Sequence, residues 1–338
     1  MQHSHMLSDK IVDGLDSFSW YRCDHAKPNV EIANHAVLMA KAFGDKTYIA
    51  SSLWCLGKTY RILGEVYAAY DHLQEAYQLY NALLPGDHNL QWQCCRCGMD
   101  MVDGARLTFK DGDKVVSLAL DVEKQATTVS DDNIHAESLM ILASVLDKFG
   151  HRQEALRHLE RAKQMRISNS SLSSAIYFWI ASVHYQEKRL PEALDAAEEA
   201  WKLSEPNNDM VNRAIYSFLL GRILFSANRV TEAWKYLEIS LTKNLELGNR
   251  RASARTLEYM GYGYLRKGDY LNAYGAYEAA AESYLGTVNE EQGCRTCKEN
   301  MAKIKDMQKN PDLNVGFERP RSDNNWRSLF YPGAAASV

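Results

Sequence analysis

The stretch Leu257–Ala280 reads LEYMGYGYLRKGDYLNAYGAYEAA, and its spacing determines which fold the chain can adopt. Apolar and small residues recur at intervals of three and four on both sides of Gly268, which is the period of a helix with one buried face. Glycine accepts the left-handed backbone that often ends a helix, so Gly268 predicts a turn. The stretch therefore predicts two helices packed as an antiparallel pair.

The same pattern recurs along the chain about every 40 residues. A small residue follows an apolar one in the first helix of each recognisable copy, at Gly57, Ala143, Ala181, Gly221 and Gly261. The separations are 86, 38, 40 and 40 residues, and 86 is twice 43, so one degenerate copy belongs in the first gap. We expect it from Trp92 to Ala126, with its turn at residues 111–113. A further copy, with its first helix at residues 8–22, brings the total to about seven pairs.

Composition excludes several classes of function. The 338 residues carry 39 Lys and Arg against 43 Asp and Glu, a net charge of −4, so no large basic surface for nucleic acid is expected. No apolar run approaches the length of about 18 residues that a membrane span needs. Seven cysteines are an odd number scattered along the chain. They predict reduced thiols and a cytoplasmic, intracellular protein.

The repeat unit resembles the tetratricopeptide repeat, whose pattern is Trp-x2-Leu-Gly-x2-Tyr, then Ala-x3-Phe, then Pro. The resemblance is closest at Leu257–Ala280 and Leu53–Ala76. A period near 40 residues exceeds the usual length of about 34 and is similar to the long arrays of kinesin light chains and of fungal receptor-type proteins. The resemblance implies an all-α, right-handed solenoid of about seven antiparallel helix pairs, with the first helix of each pair on a concave groove.

The ends of the array differ from its middle in composition. A solenoid needs a polar cap on its last repeat, and the charged stretch before Pro311 has the spacing of such a helix. Beyond Pro311 the chain is rich in Asn, Arg, Pro and Gly, although Trp326–Tyr331 forms an apolar cluster. The predicted organisation is a degenerate N-terminal helical repeat at 1–45, the solenoid at 46–288, a capping helix at 289–309 and a tail at 310–338.

Aromatic and cationic residues flank the packing positions of the predicted first helices. Such residues often dominate the affinity of binding surfaces. The candidate groove residues are Trp54, Lys58, Phe178, Trp179, Tyr185, Phe218, Arg222, Phe225, Arg255, Tyr259, Tyr262 and Arg266. Two interpretations remain open, because longer helices could instead bury the aromatic members against the next repeat.

The cysteine runs Cys94–Cys97 and Cys294–Cys297 have spacings that zinc ligands use. They lie about five repeats apart in the predicted solenoid, which separates them by far more than a metal site spans. We therefore interpret these cysteines as structural, and expect no metal and no cofactor. No constellation of residues typical of a catalytic site appears, which predicts that the chain is not an enzyme.

The sequence thus favours a non-catalytic adaptor or scaffold that binds a protein or peptide segment in its groove. Arg222, Arg255 and Arg266 would favour acidic residues beside an aromatic or aliphatic anchor of the partner. Two alternatives stay open: a sensor inhibited by its own tail through Trp326 and Phe330, and a helical protein that binds or converts a small molecule. The sequence leaves the oligomeric state undetermined.

Overall fold

A computed structural model describes residues 26–63, 65–205, 210–285 and 291–309, and it confirms the all-helical prediction. These residues form fourteen α-helices and one short 3-10 turn, with no strand among them. The chain divides into two compact units, with the division between Leu172 and Ser173. The predicted first helix at 8–22 and the tail at 310–338 lie outside the described residues.

Unit 1 contains seven helices in the described part of the chain, and sequential helices pack on each other. Their bounds are α1 Ala26–Phe43, α2 Lys46–Leu63, α3 Val66–Leu83, α4 Gln91–Thr108, α5 Gly112–Ala126, α6 Asp132–Lys148 and α7 Arg152–Lys163. The predicted degenerate copy is confirmed as the pair α4 and α5. Its turn is where the sequence placed it, since the Asp111 side chain accepts a hydrogen bond from the Lys114 backbone N–H at 3.2 Å and caps α5.

Unit 2 continues the same pairing. Its helices are α8 Ser170–Gln186, which begins just before the division, α9 Leu190–Leu203, α10 Met210–Ser226, α11 Val230–Glu246, α12 Arg250–Arg266, α13 Tyr270–Tyr284 and α14 Glu291–Lys309. The last of these is the expected charged helix, and it covers the core of the final pair with the buried side chains of Cys297 and Ile304. None of the described helices combines the length and low charge of a membrane span.

The small residue that marks each copy allows close approach of the two helices in a pair. A Cβ atom added at Gly221 would lie 2.9 Å from Cγ and Cδ2 of Leu237, and one added at Gly57 would lie 2.6 Å from Cγ of Leu73. Both distances are shorter than van der Waals contact. These two positions therefore need glycine for packing rather than for backbone freedom.

Four of the turns inside helix pairs use one left-handed residue. The four turns place it at Gly150 (φ 89°), Lys188 (φ 60°), Asn228 (φ 63°) and Gly268 (φ 74°). The next N–H then bonds back to the helix just completed, as the Asp269 N–H does to the Tyr264 carbonyl at 3.0 Å. The turn geometry is thus kept at Lys188 and Asn228, where the sequence has no glycine.

Candidate functional site

The first helices α2, α4 and α6 of unit 1 carry a network of ion pairs. Arg61 lies 2.9 Å from a carboxylate oxygen of Asp100 and 3.4 Å from one of Asp103. Arg106 lies 3.0 Å from the other oxygen of Asp103. Arg61, Asp103 and Arg106 are all buried, so their charges depend on each other for stabilisation.

Two predicted groove residues, Trp54 and Lys58, belong to this network. The Trp54 indole N–H donates to Asp100 at 2.8 Å, and its ring packs edge-on against Tyr80 with centroids 6.3 Å apart. The Lys58 ammonium lies 5.4 Å from the centroid of the Trp54 ring. Trp54 is buried and Lys58 half-buried, so both side chains already have partners within unit 1.

The surroundings of Asp100 keep it ionised. Burial favours the neutral acid, but the cations of Arg61 and Lys58 and the Trp54 N–H outweigh it and hold the pKa of Asp100 below its ordinary value. Asp100 is therefore a carboxylate at neutral pH. It keeps its ion pair with Arg61 over the physiological range.

Lys148, on α6, lies at the end of this network. Its ammonium donates to the backbone carbonyl of Arg106. Burial, assisted by the nearby Arg106 cation and opposed by Asp103, lowers the pKa of Lys148 to about 8. The network therefore ends in a lysine that loses its proton more easily than an exposed one.

Sequence reasoning missed the acidic members of this network. Asp103 is the thirteenth residue of α4, as Lys58 is of α2 and Arg222 is of α10. The repeat register therefore places Asp103 at the position of Lys58 and Arg222. The degenerate copy at Trp92–Ala126 was not aligned to this register in the prediction. The network was hidden because its pair Arg61–Asp103 joins two helices through residues 42 positions apart in sequence.

The aromatic residues predicted on the first helices of unit 2 lie mostly in the packing between α8, α10 and α12. Phe178 is 2 % exposed and stacks on Tyr216, with ring centroids 5.1 Å apart. Phe218 packs edge-on against Tyr259 at 5.4 Å. The buried members of the predicted set in this unit are Phe178, Trp179, Phe218, Phe225 and Tyr259. Their burial agrees with the packing interpretation, so these rings offer a partner little exposed area.

Arg222 has an environment unlike that of any arginine in the unit 1 network. Its guanidinium carbon lies 5.2, 5.6 and 5.1 Å from the ring centroids of Tyr185, Phe218 and Tyr259. The residue is 7 % exposed, yet it forms no ion pair with a described carboxylate, and its Nε has no acceptor among the described residues. We call these four residues the Arg222 cluster. Its cation faces aromatic rings rather than a carboxylate, and ring faces stabilise a cation less than a carboxylate does.

The other predicted cations of unit 2 differ in exposure. Arg255 is buried within α12 and engaged there in contacts of its own. Arg266 is exposed, with its guanidinium carbon 5.3 Å from the Phe225 ring centroid. Tyr262 is half-buried and lies 6.1 Å from the same ring. Arg266 is therefore accessible to a partner, whereas Arg255 serves the fold.

The cysteines of the described segments are free thiols in buried positions, and none of these segments contains a group of ligands suited to a metal ion. Burial, with a smaller effect of Cys95, raises the pKa of the Cys94 thiol to about 12. Burial alone raises that of Cys95 to about 11. Such thiols are protonated at neutral pH and poor nucleophiles.

No protein-family model matches the sequence, and no curated protein matches it. Solved structures do match the fold. A Rap protein complexed with Competence and Sporulation Factor aligns over 90% of this chain and 92% of its own, with a TM-score of 0.57 at 14% identity. Aspartyl phosphate phosphatase F from Bacillus subtilis aligns over 89% and 72%, with a TM-score of 0.51 at 12% identity.

A third structure is a signal transduction ATPase with numerous domains from Pyrococcus horikoshii, which has a tetratricopeptide repeat sensor. It aligns over 79% of this chain and 44% of its own, with a TM-score of 0.52 at 11% identity. At these identities the likeness concerns the fold. The predicted tetratricopeptide-type array of paired helices is confirmed, while the handedness of the complete solenoid and its concave groove stay predictions.

Proposed function

We propose that the chain is a non-catalytic adaptor or regulator that binds an acidic peptide or protein segment at the Arg222 cluster. The observation that carries this proposal is a buried arginine without a carboxylate partner among the described residues. A buried cation loses its hydration, and a carboxylate restores that loss better than aromatic rings do. A bound Asp, Glu or C-terminal carboxylate would supply the missing partner.

The residues around the cluster are partly open to solvent, which supports a binding site there rather than a closed core. Tyr185 is half-buried, and its hydroxyl lies 3.0 Å from that of Ser226, which is also half-buried. Either hydroxyl can donate to a second carboxylate oxygen. The exposed Arg266 would contact a further acidic residue of the same segment.

The contrast with unit 1 supports a binding site in unit 2. In unit 1, Arg61 and Arg106 pair with Asp100 and Asp103 from the protein itself. A peptide carboxylate would have to displace these internal partners. Arg222 has none to displace, and we therefore assign recognition to unit 2 and a structural role to the unit 1 network.

The type of partner and the cellular compartment are each supported by a separate observation. The Rap protein described above is complexed with Competence and Sporulation Factor, which supports a partner-binding role for this type of fold. The buried free thiols support the expectation of a reducing cytoplasm. Within this proposal the partner is a polypeptide, and neither nucleic acid nor a membrane.

The proposal is tested by selecting peptides from a random display library on the full chain. We expect enrichment of sequences with Asp, Glu or a free C-terminus beside an aromatic or aliphatic residue. A parallel selection on an Arg222→Gln variant should lose these sequences. Enrichment of the same acidic peptides on both proteins would overturn the proposal, as would a selection that yields no acidic sequence.

A further inference from the structure

The end of α13 and one face of α14, the last two described helices of unit 2, line an open pocket. Its volume is about 690 Å³. Its floor is formed by Tyr284 and Leu285 at the end of α13 and by Cys294 and Ala302 of α14. Leu285 is 55% exposed, so a large aliphatic side chain is open to solvent beside the cavity.

The pocket residues on α14 share one face of the helix. Glu291, Arg295, Lys298 and Ala302 are spaced by four, three and four residues, so they form one stripe along the helix. This stripe lies beside the face that packs on α13 through Cys297 and Ile304. In an array of paired helices, it is the face that a following element would cover.

We propose that the apolar cluster Trp326–Tyr331 of this chain's own tail binds this pocket and covers the end of the array. The cluster has the chemistry that the pocket needs: a large ring for the apolar floor and Arg327 beside it for the carboxylates at the rim. Glu291 and Glu299 supply those carboxylates, but Arg295 and Lys298 line the same pocket, so the charge of Arg327 is secondary to the ring. A tryptophan ring buries a large apolar area, which makes Trp326 the main anchor.

The chain is long enough for this contact. From Lys309 back to Lys298 is a distance of about 16 Å along the helix axis. Trp326 follows Lys309 by seventeen residues, which reach about 56 Å when extended. The tail can therefore turn back along α14 and place the cluster in the pocket without strain.

Limited trypsin digestion of the full chain tests this contact. Trypsin cleaves after Arg327 inside the cluster and after Arg321 outside it, so the ratio of the two rates reports protection of the cluster. We compare the unchanged chain with Leu285→Glu and Ala302→Arg, which alter the pocket at exposed positions. Leu271→Glu is the matched control, because Leu271 is 78% exposed on the same helix α13 but does not line the pocket.

In the unchanged chain and in Leu271→Glu we expect cleavage after Arg327 to be at least tenfold slower than after Arg321. Leu285→Glu and Ala302→Arg should each raise the Arg327 rate about tenfold, with helicity unchanged by circular dichroism. Equal ratios in all four proteins would overturn the proposal. Arg222→Gln is digested as a fifth protein, and a ratio that changes only in this variant would also overturn the proposal, because the tail would then occupy the Arg222 cluster.

Discussion

Two arginines show that the role of a buried cation depends on the groups that surround it. Arg106 and Arg222 are both buried cations on first helices. Arg106 is paired with the buried carboxylate of Asp103, whereas Arg222 is surrounded by aromatic rings. The first is a structural residue and the second, in our proposal, a recognition residue.

This difference predicts opposite outcomes for the same substitution. Arg106→Met removes a cation that pairs with the buried carboxylate of Asp103, so the free energy of unfolding should fall by about 3 kcal/mol. Arg222→Met strands no charge, and we expect a loss below about 1 kcal/mol. Urea denaturation followed by circular dichroism measures both. Similar losses in the two variants would contradict the assignment.

Lys148 predicts a pH dependence. Its pKa is about 8 in the folded chain and 10.5 in an unfolded one, so the unfolded state binds more protons between these values. Stability contributed by this residue therefore rises with pH from about 8 to about 10.5. Relative to a Lys148→Met variant, the unchanged chain should gain stability over this window. The control is Lys110→Met, because Lys110 is exposed. If the unchanged chain gained as much stability relative to Lys110→Met as relative to Lys148→Met over this pH window, Lys148 would not be the cause.

At the scale of the element, the contact between the helices of a pair depends on the absence of one Cβ. Gly221→Ala would force an atom within 2.9 Å of Leu237, and we expect a loss of about 1–3 kcal/mol in the free energy of unfolding. Gly275 on α13 has open space at its Cβ position, so Gly275→Ala should gain about 1 kcal/mol. Thermal denaturation distinguishes the two, and a loss in both variants would contradict the packing account.

The turns give a second prediction at this scale. Lys188 holds a φ of 60°, which a residue with a Cβ adopts only at an energetic cost. Lys188→Gly should therefore stabilise unit 2 by up to about 1 kcal/mol, and Asn228→Gly by less, because asparagine tolerates this conformation better. A destabilised Lys188→Gly variant, measured by urea denaturation, would show that the lysine side chain contributes more than the turn strain.

The elements of the fold were predictable because their determinants are local. Helix periodicity, the turn at residues 111–113 and the glycine at Gly268 act within a few residues, and the structure agrees with each. The turn at Lys188 has no glycine or asparagine to mark it, although its φ is 60°. The repeat period located the helix pair that contains this turn, but not the left-handed residue.

At the scale of the whole molecule, the candidate site was predictable only in part. The repeat register placed Arg222 and Tyr259 on neighbouring first helices, and the structure brings both together. Register does not tell which side chains are buried, and Phe178 and Trp179 proved to be packing residues. It also does not tell which cations have partners, because the pairing of Arg61 with Asp100 joins two different repeats.

Our central claim is that the Arg222 cluster binds a carboxylate of a polypeptide partner. The most direct measurement is the affinity of a selected acidic peptide for the unchanged chain, for Arg222→Gln and for Arg213→Gln. Arg213 is the matched control, since it lies nine residues earlier on α10, on the opposite face, and its guanidinium also contacts a ring, that of Trp201 at 4.3 Å. We predict at least a tenfold loss of affinity for Arg222→Gln and less than a twofold change for Arg213→Gln. Equal affinity of all three proteins for the peptide would contradict the claim.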